Sequence, residues 1–230
     1  MRPRHFLLCF GFLTALSSCA HRYDFPVNRL DSAEVRGKPG PSRLEALGLH
    51  GANQLHGDAS NLSLDPSVIN DFLGFAMGLG EKFDLGLRFH VTGPLLLRAR
   101  YQIAGEPEIR AQQGNFAATI GASVGYSLSS ARDINTNQSQ TASYFAFDGS
   151  LTLGYRVWDH FQVLLGGFYA SSSYSLPQAT GSLSQPGWLW GVRWDQEALF
   201  ITFEVARSFA TGTGLASGGY FPGLAIGLSL

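Results

Sequence analysis

Few side chains in this 230-residue chain have the types and spacing that catalysis or metal binding requires. His50, His56 and Asp58 cluster near a polar stretch, where a solvated loop is a better interpretation than a metal site. His90 lies two residues from Arg88 in an alternating pattern, which favours an interior histidine over a catalytic base. Since the sequence contains no phosphate-binding loop, Cys/His metal spacing or nucleophile elbow, it predicts no cofactor and no metal.

Charged residues on the small, polar face of alternating segments form the main candidate site. If these segments close into a barrel, this face lines the interior, where like charges are costly unless they are paired. We expect the acids to bridge the arginines, and the excess of arginine to leave the interior positive. Two hypotheses follow: a lumen filled by a salt-bridged network, or a small anion-preferring pore. The predicted network comprises Arg88, Arg98, Arg100, Arg156, Arg193, Asp84, Asp148 and Glu204.

The stretch from Leu73 to Val91 indicates which elements position these residues. Large apolar residues occupy every second place, interrupted only at 80–82, and glycine, small or charged residues lie between them. A period of two is typical of a β-strand, whereas a helix here would contain several glycines and a central pair of charges. A turn at 80–82 pairs Leu73 with Phe89, so both apolar faces fall on one side.

Ten such segments can be counted, which predicts an all-β fold: a closed antiparallel transmembrane β-barrel, with eight strands as the alternative. A turn at 92–94 pairs Val91 with Leu95 and thereby sets Arg88 opposite Arg98. Short turns are predicted at one end of the barrel. Long polar loops are predicted at the other end, at 53–71, 129–143, 171–186 and 210–218.

The first eighteen residues have the composition of an export signal, with two arginines before an apolar run and small residues after it. The junction Leu16-Ser17-Ser18-Cys19 resembles the lipoprotein box of bacterial lipoproteins. That resemblance implies cleavage before Cys19 and acylation of this cysteine, and Ala20 in the next place favours the outer membrane. The predicted organisation is a signal peptide at 1–18, a lipid-anchored periplasmic tether at 19–42 and a β-barrel at 43–230.

The last segment, from Leu224 to Leu230, alternates apolar and small residues up to the final position. It resembles the terminal strand of Gram-negative outer-membrane barrels, although Leu230 stands where that family usually has phenylalanine. The resemblance implies an outer-membrane location, with outer-membrane lipid and the barrel-assembly machinery as partners. An even number of strands then places both chain ends in the periplasm, with the N-terminus lipid-anchored on that side.

Composition excludes several other classes of protein. The 16 lysines and arginines include two in the signal, so the mature chain has 14 against 17 acidic residues, which argues against a nucleic-acid partner. Only one of the two cysteines remains after cleavage, so no disulfide can form within the mature chain. The glycine-rich second face and the low charged fraction of 14% argue against a periplasmic lipocalin-like barrel.

The sequence therefore predicts an outer-membrane β-barrel lipoprotein with a structural or surface-interaction role. The alternative function is a small, porin-like, anion-preferring pore. A lipid-modifying or protease barrel enzyme is less favoured, because nothing places a serine beside His90. We therefore expect no catalytic residues, and we expect any extracellular ligand to bind at the outer loops.

Overall fold

A computed structural model describes residues 22–56, 63–70, 72–90, 94–132, 139–176, 179–196, 198–212 and 214–230. Over these ranges the chain is all β. The strands are β1 (Arg22–Pro26), β2 (Gly40–His56), β3 (Ser63–Asn70), β4 (Phe72–Gly78), β5 (Phe83–His90), β6 (Leu95–Ala104), β7 (Phe116–Arg132), β8 (Ser139–Trp158), β9 (Phe161–Leu176), β10 (Ala179–Gln196), β11 (Leu199–Gly212) and β12 (Leu215–Ser229). The described residues include no helix with the length and apolar character to cross a membrane.

Ten strand positions close into one antiparallel barrel. From β4 to β12 each strand pairs with the next along the chain, and β2 closes the ring by pairing with β12 and β4. β3 continues the position of β4 and pairs with the same neighbour, β2. The prediction of a closed antiparallel β-barrel of ten strands is confirmed.

The exterior and interior faces alternate along each strand, as a period of two requires. In β11 every second residue from Phe200 to Ala210 is buried, while the residues between them are exposed or half-buried. The exposed face carries a belt of large apolar side chains around the barrel. The belt includes Leu73, Phe75, Leu87, Phe89, Leu97, Tyr101, Ile120, Val124, Phe147, Leu151, Val163, Leu165, Trp190, Phe203 and Leu228.

The barrel has two ends, which we call the near end and the far end. At the near end β2 begins, and Leu230 donates its backbone N–H to the carbonyl oxygen of Ser42 at 2.9 Å. At the far end β2 finishes at His56, which pairs with Ser63 at the start of β3. The turn of residues 159–160 between β8 and β9 is at the near end.

The strands continue into segments that the sequence analysis assigned to long loops at the far end. β8 already begins at Ser139, and β9 and β10 occupy nearly all of 171–186, so the expected loops at 129–143 and 171–186 are wrong over most of their length. The period of two persists there with hydroxyl side chains outside, since Ser173 is exposed while Tyr174 is buried. At the far end the barrel wall therefore extends beyond the apolar belt.

The register of β5 against β6 differs from the prediction by two residues. Phe89, rather than Val91, lies opposite Leu95, and Arg88 therefore does not lie opposite Arg98. A slip of two residues keeps each side chain on its predicted face. The observed register also removes a direct opposition of two arginines, which would destabilise the pair of strands.

Residues 25–36, which we call the lumen segment, run through the interior of the barrel from the far end to the near end. In β1, Arg22 pairs with His56 and Pro26 pairs with Ala52, both in the far-end half of β2. The chain then descends inside the barrel and turns back into β2 at Gly40. The segment was predicted to be part of a tether at 19–42, but most of its side chains are buried. These are Phe25, Val27, Asn28, Arg29, Leu30, Asp31, Ser32, Ala33, Glu34 and Val35.

The far-end half of β2 accompanies β1 into the interior. Ala52 and Asn53 point to opposite faces of this strand, yet both are 0% exposed. A barrel wall strand buries only one face, so this part of β2 is covered on both sides. The two ends of the described chain consequently lie at opposite ends of the barrel, whereas the sequence analysis placed both on one side.

Glycines on the wall make room for the lumen segment. A Cβ atom added at Gly154 of β8 would lie 2.5 Å from the Cβ atom of Ala33, and one at Gly223 of β12 would lie 2.7 Å from the Cγ atom of Asn28. Both distances are far shorter than ordinary van der Waals contact. Larger residues at these two wall positions would therefore displace the segment.

Candidate functional site

The lumen segment contributes one side chain to each of four apolar clusters inside the barrel. Phe25 meets the ring of Tyr144 edge-on at a centroid distance of 5.0 Å, within the cluster closest to the far end. Burial of apolar surface is the main stabilising contribution to folding, so the segment is part of the protein core. The clusters are Phe25, Leu55, Leu64, Tyr144, Tyr174, Leu183 and Ala210; Val27, Phe168, Leu189, Ala206 and Phe221; Leu30, Phe200 and Ala225; and Ala33, Ala117 and Leu164.

Charged side chains of both signs fill the rest of the described interior in equal number. The arginines are Arg29, Arg36, Arg43, Arg88, Arg98, Arg100, Arg156 and Arg193. The carboxylates are Asp31, Glu34, Glu45, Asp84, Glu108, Asp148, Asp195 and Glu204. The expected positive interior is therefore wrong for the described residues, because the lumen segment, β2, the β6–β7 connection and β10 bring further acids inside.

Asp31 of the lumen segment links two arginines of β6. Its carboxylate forms an ion pair with Arg98, and its Oδ1 atom lies 3.8 Å from Nη1 of Arg100. Arg100 also pairs with Asp84 of β5 and donates a hydrogen bond to the carbonyl oxygen of Ser32 at 3.1 Å. The lumen segment is thus bonded to the wall through both its side chains and its backbone.

Arg88 joins β5 to β2 and to the lumen segment. Its guanidinium donates to both carboxylate oxygens of Glu45 at 2.9 Å, and Nη1 donates to the carbonyl oxygen of Arg29 at 2.9 Å. Next to this pair, the rings of His50 and His90 meet edge-on with centroids 4.7 Å apart. His90 is 3% exposed and therefore lies in the interior, as the sequence predicted.

Two further arginines of the predicted network lie closer to the near end. Arg156 pairs with Glu34 of the lumen segment and donates to the carbonyl oxygen of Asp159 at 2.5 Å. Arg193 binds Asp195 at 2.7 Å, and its guanidinium carbon lies 4.1 Å from the centroid of the Phe200 ring. The sequence analysis had assigned Glu34 to the tether and had not included Asp195 in the network.

Glu204 acts on the backbone of the lumen segment, with no arginine bonded to its carboxylate among the described residues. It accepts hydrogen bonds from the backbone N–H groups of Arg29 at 2.8 Å and Leu30 at 2.9 Å, and from the Asn28 amide at 3.1 Å. Leu30 has a φ of 51°, a left-handed conformation that is uncommon for a side chain of this size. The carboxylate therefore stabilises a tight bend at the centre of the segment.

Asp148 and Arg29 complete the contacts at this level of the barrel. The carboxylate of Asp148 accepts a hydrogen bond from the hydroxyl of Ser123 and lies 3.7 Å from Nε of Arg29. The guanidinium carbon of Arg29 lies 4.3 Å from the centroid of the Phe168 ring. Asp148 therefore compensates a charge of the lumen segment instead of the wall arginines that the sequence suggested as partners.

The connection between β6 and β7 covers the near end of the lumen. Glu108 donates its backbone N–H to the carbonyl oxygen of Val35 at 2.9 Å, and its carboxylate binds Arg36 at 2.6 Å and Arg43 at 2.5 Å. Burial by itself would raise the pKa of Glu108, but Arg43 and the neighbouring arginines outweigh it and hold the pKa well below its usual range. Glu108 is therefore ionised at neutral pH and links the connection to the lumen segment.

Little free space remains within the charged part of the lumen. A cavity of about 30 Å³ lies among Asp31, Arg43, Glu45, Asp84 and Arg88. A cavity of about 10–15 Å³ is enough to hold one water molecule, so this space suits one or two waters. The arrangement can hold charges and water, but this cavity has no room for a solute.

A larger groove lies on the outer surface beyond the apolar belt. Its volume is about 430 Å³, and hydroxyl groups from neighbouring strands line it together with three aromatic residues. The lining includes Tyr126, Ser143, Phe145, Ser173, Ser175 and Thr180. Hydroxyl groups can both donate and accept hydrogen bonds, so this surface can bind a polar, uncharged ligand.

The eight predicted network residues all lie on the interior face, but several have partners that the sequence analysis did not identify. The sequence analysis missed Asp31 and Glu34. They lie in a stretch where charged residues are interspersed with the buried apolar residues Val27, Leu30 and Val35. That mixture of apolar and charged residues, with no lysine before Lys38, could have indicated that this stretch is buried inside the barrel. Cys19 and Asp58, and the side chain of His56, lie outside the described part of the structure.

Among the described residues, no group of three or more His, Cys, Asp or Glu side chains is arranged to hold a metal ion. Comparison with protein-family models matches no family, and comparison with curated proteins gives no match. The argument for function therefore rests on the lumen, on the exterior and on the sequence of the two chain ends.

Proposed function

We propose that this protein is an outer-membrane β-barrel lipoprotein with a structural or surface-interaction role and a lumen that does not conduct solutes. The exterior supports a membrane location, since Phe89, Leu165 and Tyr101 are about half exposed, at 54%, 56% and 46%. A closed barrel leaves no unpaired strand edge, which is the condition for β structure in lipid. Apolar residues outside and charges inside are the arrangement of membrane barrels.

The sequence of the two chain ends supports an outer-membrane location. An export signal at 1–18, a lipoprotein box ending at Cys19 and a terminal strand of alternating apolar residues are features of exported lipoproteins and of outer-membrane barrels. Outer-membrane lipid would contact the belt, and the barrel-assembly machinery would recognise the last strand. The polar extension at the far end is the surface available for an extracellular ligand.

The main observation that supports the proposal is that the lumen is filled. An anion-preferring pore needs spare arginines along an open path, but eight carboxylates balance the eight arginines of the described interior. The lumen segment also occupies the centre of the barrel with apolar side chains such as Val27 and Leu30. A structural or surface role therefore fits the interior better than a pore does.

Planar-bilayer recording tests this function directly. Purified protein that is folded, as judged by a change in gel mobility on boiling, should give no steady conductance. Steady current steps with anion preference would contradict the proposal and favour the pore. A protein that stays soluble and monomeric without detergent after signal removal would contradict the membrane location.

An enzymatic role is not proposed, because the interior polar groups are engaged in structural contacts. Glu204 binds the backbone of the lumen segment, and Asp148 lies beside Arg29 and Ser123. Assays for phospholipase, lipid deacylase and protease activity on folded protein should show no turnover. Robust turnover in any of them would overturn this assignment.

A further inference from the structure

We propose that the chain before Arg22, including Cys19, lies on the far-end side of the membrane and that the lumen segment is the part of the chain that crosses the membrane inside the barrel. The inference rests on the proposed outer-membrane barrel. It assigns any acyl group on Cys19 to the leaflet at the far end. It therefore differs from the periplasmic anchor that the sequence suggested.

The contacts of the lumen segment define its direction. At the far end, Val27 donates its backbone N–H to the carbonyl oxygen of Gly51 at 2.9 Å, and Asn28 Oδ1 accepts from the N–H of Gly51 at 2.8 Å. Further along, Ser32 donates to Gln162 Oε1 at 3.3 Å, next to the near-end turn of residues 159–160. The chain thus enters at the far end and reaches the near end before β2 begins.

The last contacts complete the crossing. Glu34 pairs with Arg156, and Val35 accepts the backbone N–H of Glu108 in the near-end connection. Gly37 then adopts a φ of 89° where the chain leaves the lumen, and β2 starts at Gly40. No described residue of the segment turns back toward the far end, so one passage of the chain spans the lumen.

The exterior indicates which end faces outward. At the near end the belt extends to the turns, where Leu79, Trp158 and Leu230 are exposed. At the far end β9 continues seven residues beyond Tyr169 with hydroxyl side chains on its outer face. Bacterial outer-membrane barrels have short periplasmic turns and larger extracellular extensions, so the far end corresponds to the cell surface.

The length of chain before Arg22 excludes a periplasmic anchor for the threaded protein. Only Ala20 and His21 lie between Cys19 and Arg22, so the Cα atoms of Cys19 and Arg22 are at most about 11 Å apart when the chain is extended. β2 has 17 residues between the far end and the near end, which at about 3.3 Å per residue is about 55 Å. A lipid on Cys19 therefore stays at the far end while β1 is in place.

Epitope accessibility on intact Gram-negative cells tests the inference. One variant carries a short epitope between Ala20 and His21, and the control carries it between Gly80 and Glu81 in the near-end turn. We expect antibody to label the first on intact cells and the second only after permeabilisation. Labelling of the first only after permeabilisation, in protein that fractionates with the outer membrane, overturns the inference. Protein absent from the outer-membrane fraction contradicts the proposed function itself.

A disulfide pair checks that the labelled protein is threaded. Pro26→Cys and Ala52→Cys change two residues that lie opposite each other in β1 and β2, and we expect them to cross-link in the epitope-bearing chain. Pro26→Cys combined with Ser42→Cys at the near end is the matched control and should not cross-link. Single-cysteine variants control for pairing with Cys19. Cross-linked protein with a hidden epitope, or failure of the first pair to cross-link in folded protein, contradicts the inference.

Discussion

Asp84 and Arg100 lie directly opposite each other on β5 and β6, and their side chains form an ion pair inside the barrel. Their side chains are 1% and 7% exposed, so water does little to compensate either charge. The register expected from the sequence would have placed Gly86 opposite Arg100. The observed pairing provides an opposite charge at this position and keeps the same faces inside and outside.

We expect Asp84→Asn to lower the free energy of unfolding by about 3 kcal/mol, since removal of one partner leaves a buried charge without its closest compensation. The change is measured by unfolding in urea, with the folded fraction detected by its gel mobility in samples that are not boiled. Glu106→Gln is the control, because its ion pair with Arg110 is exposed and should contribute at most about 1 kcal/mol. Equal effects of the two variants would contradict a structural role for the buried pair.

The sequence predicted the faces of the strands better than it predicted their neighbours. Alternation places Arg88 and Phe89 on opposite faces, and this follows from the geometry of any strand. It cannot distinguish registers that differ by two residues, because the faces are the same in each. The β5–β6 register depends on Asp84 and Arg100, which are sixteen residues apart in the chain.

The lumen segment was missed for a different physical reason. Residues 25–36 show no period of two over a strand length, and their charges and prolines nearby are typical of a linker. Their burial depends on partners far along the chain, such as Glu204 and Arg156. The polar lumen accepts a polar segment, so hydrophobicity alone gives little indication that this stretch lies inside.

Gly154 provides a test of the packing between the lumen segment and the wall. Gly154→Val places side-chain atoms where Ala33 lies, and we expect overpacking to lower stability by about 1–3 kcal/mol. Gly149→Ala on the same strand is the control, since the nearest atom to its added Cβ is 4.0 Å away. Thermal unfolding in detergent measures both. A neutral Gly154→Val variant would show that the segment is not packed against β8.

The ionisation of Glu108 predicts a pH dependence of stability. Arginines hold its pKa in the folded protein below the value in the unfolded chain, so its contribution is complete above about pH 5. As the pH falls below about 4, the unfolded chain binds the proton more readily than the folded protein, and stability decreases. Glu108→Gln should remove this part of the dependence, as measured by urea unfolding between pH 3 and pH 7.

Glu81→Gln is the control for the pH experiment. Glu81 lies in the near-end turn and is fully exposed, and its hydrogen bond to Arg110 lowers its pKa. Solvent screens this interaction, so the variant should retain nearly the full pH dependence of the wild type. An identical response of Glu108→Gln and wild type would contradict the role of Glu108 in closing the near end.

The position of the apolar belt can be mapped on β9 with one substitution made at two heights. Leu165 is exposed at the centre of the belt, and Ser173 is exposed on the same strand beyond its far-end edge. An arginine facing lipid near the middle of a bilayer costs about 2–4 kcal/mol, and one near the interface costs about 0–1 kcal/mol. We therefore expect Leu165→Arg to destabilise the protein in lipid vesicles far more than Ser173→Arg does. In detergent micelles, which adapt to a charged side chain, the difference should shrink. Equal stability of the two variants in vesicles would show that lipid does not surround this part of the barrel.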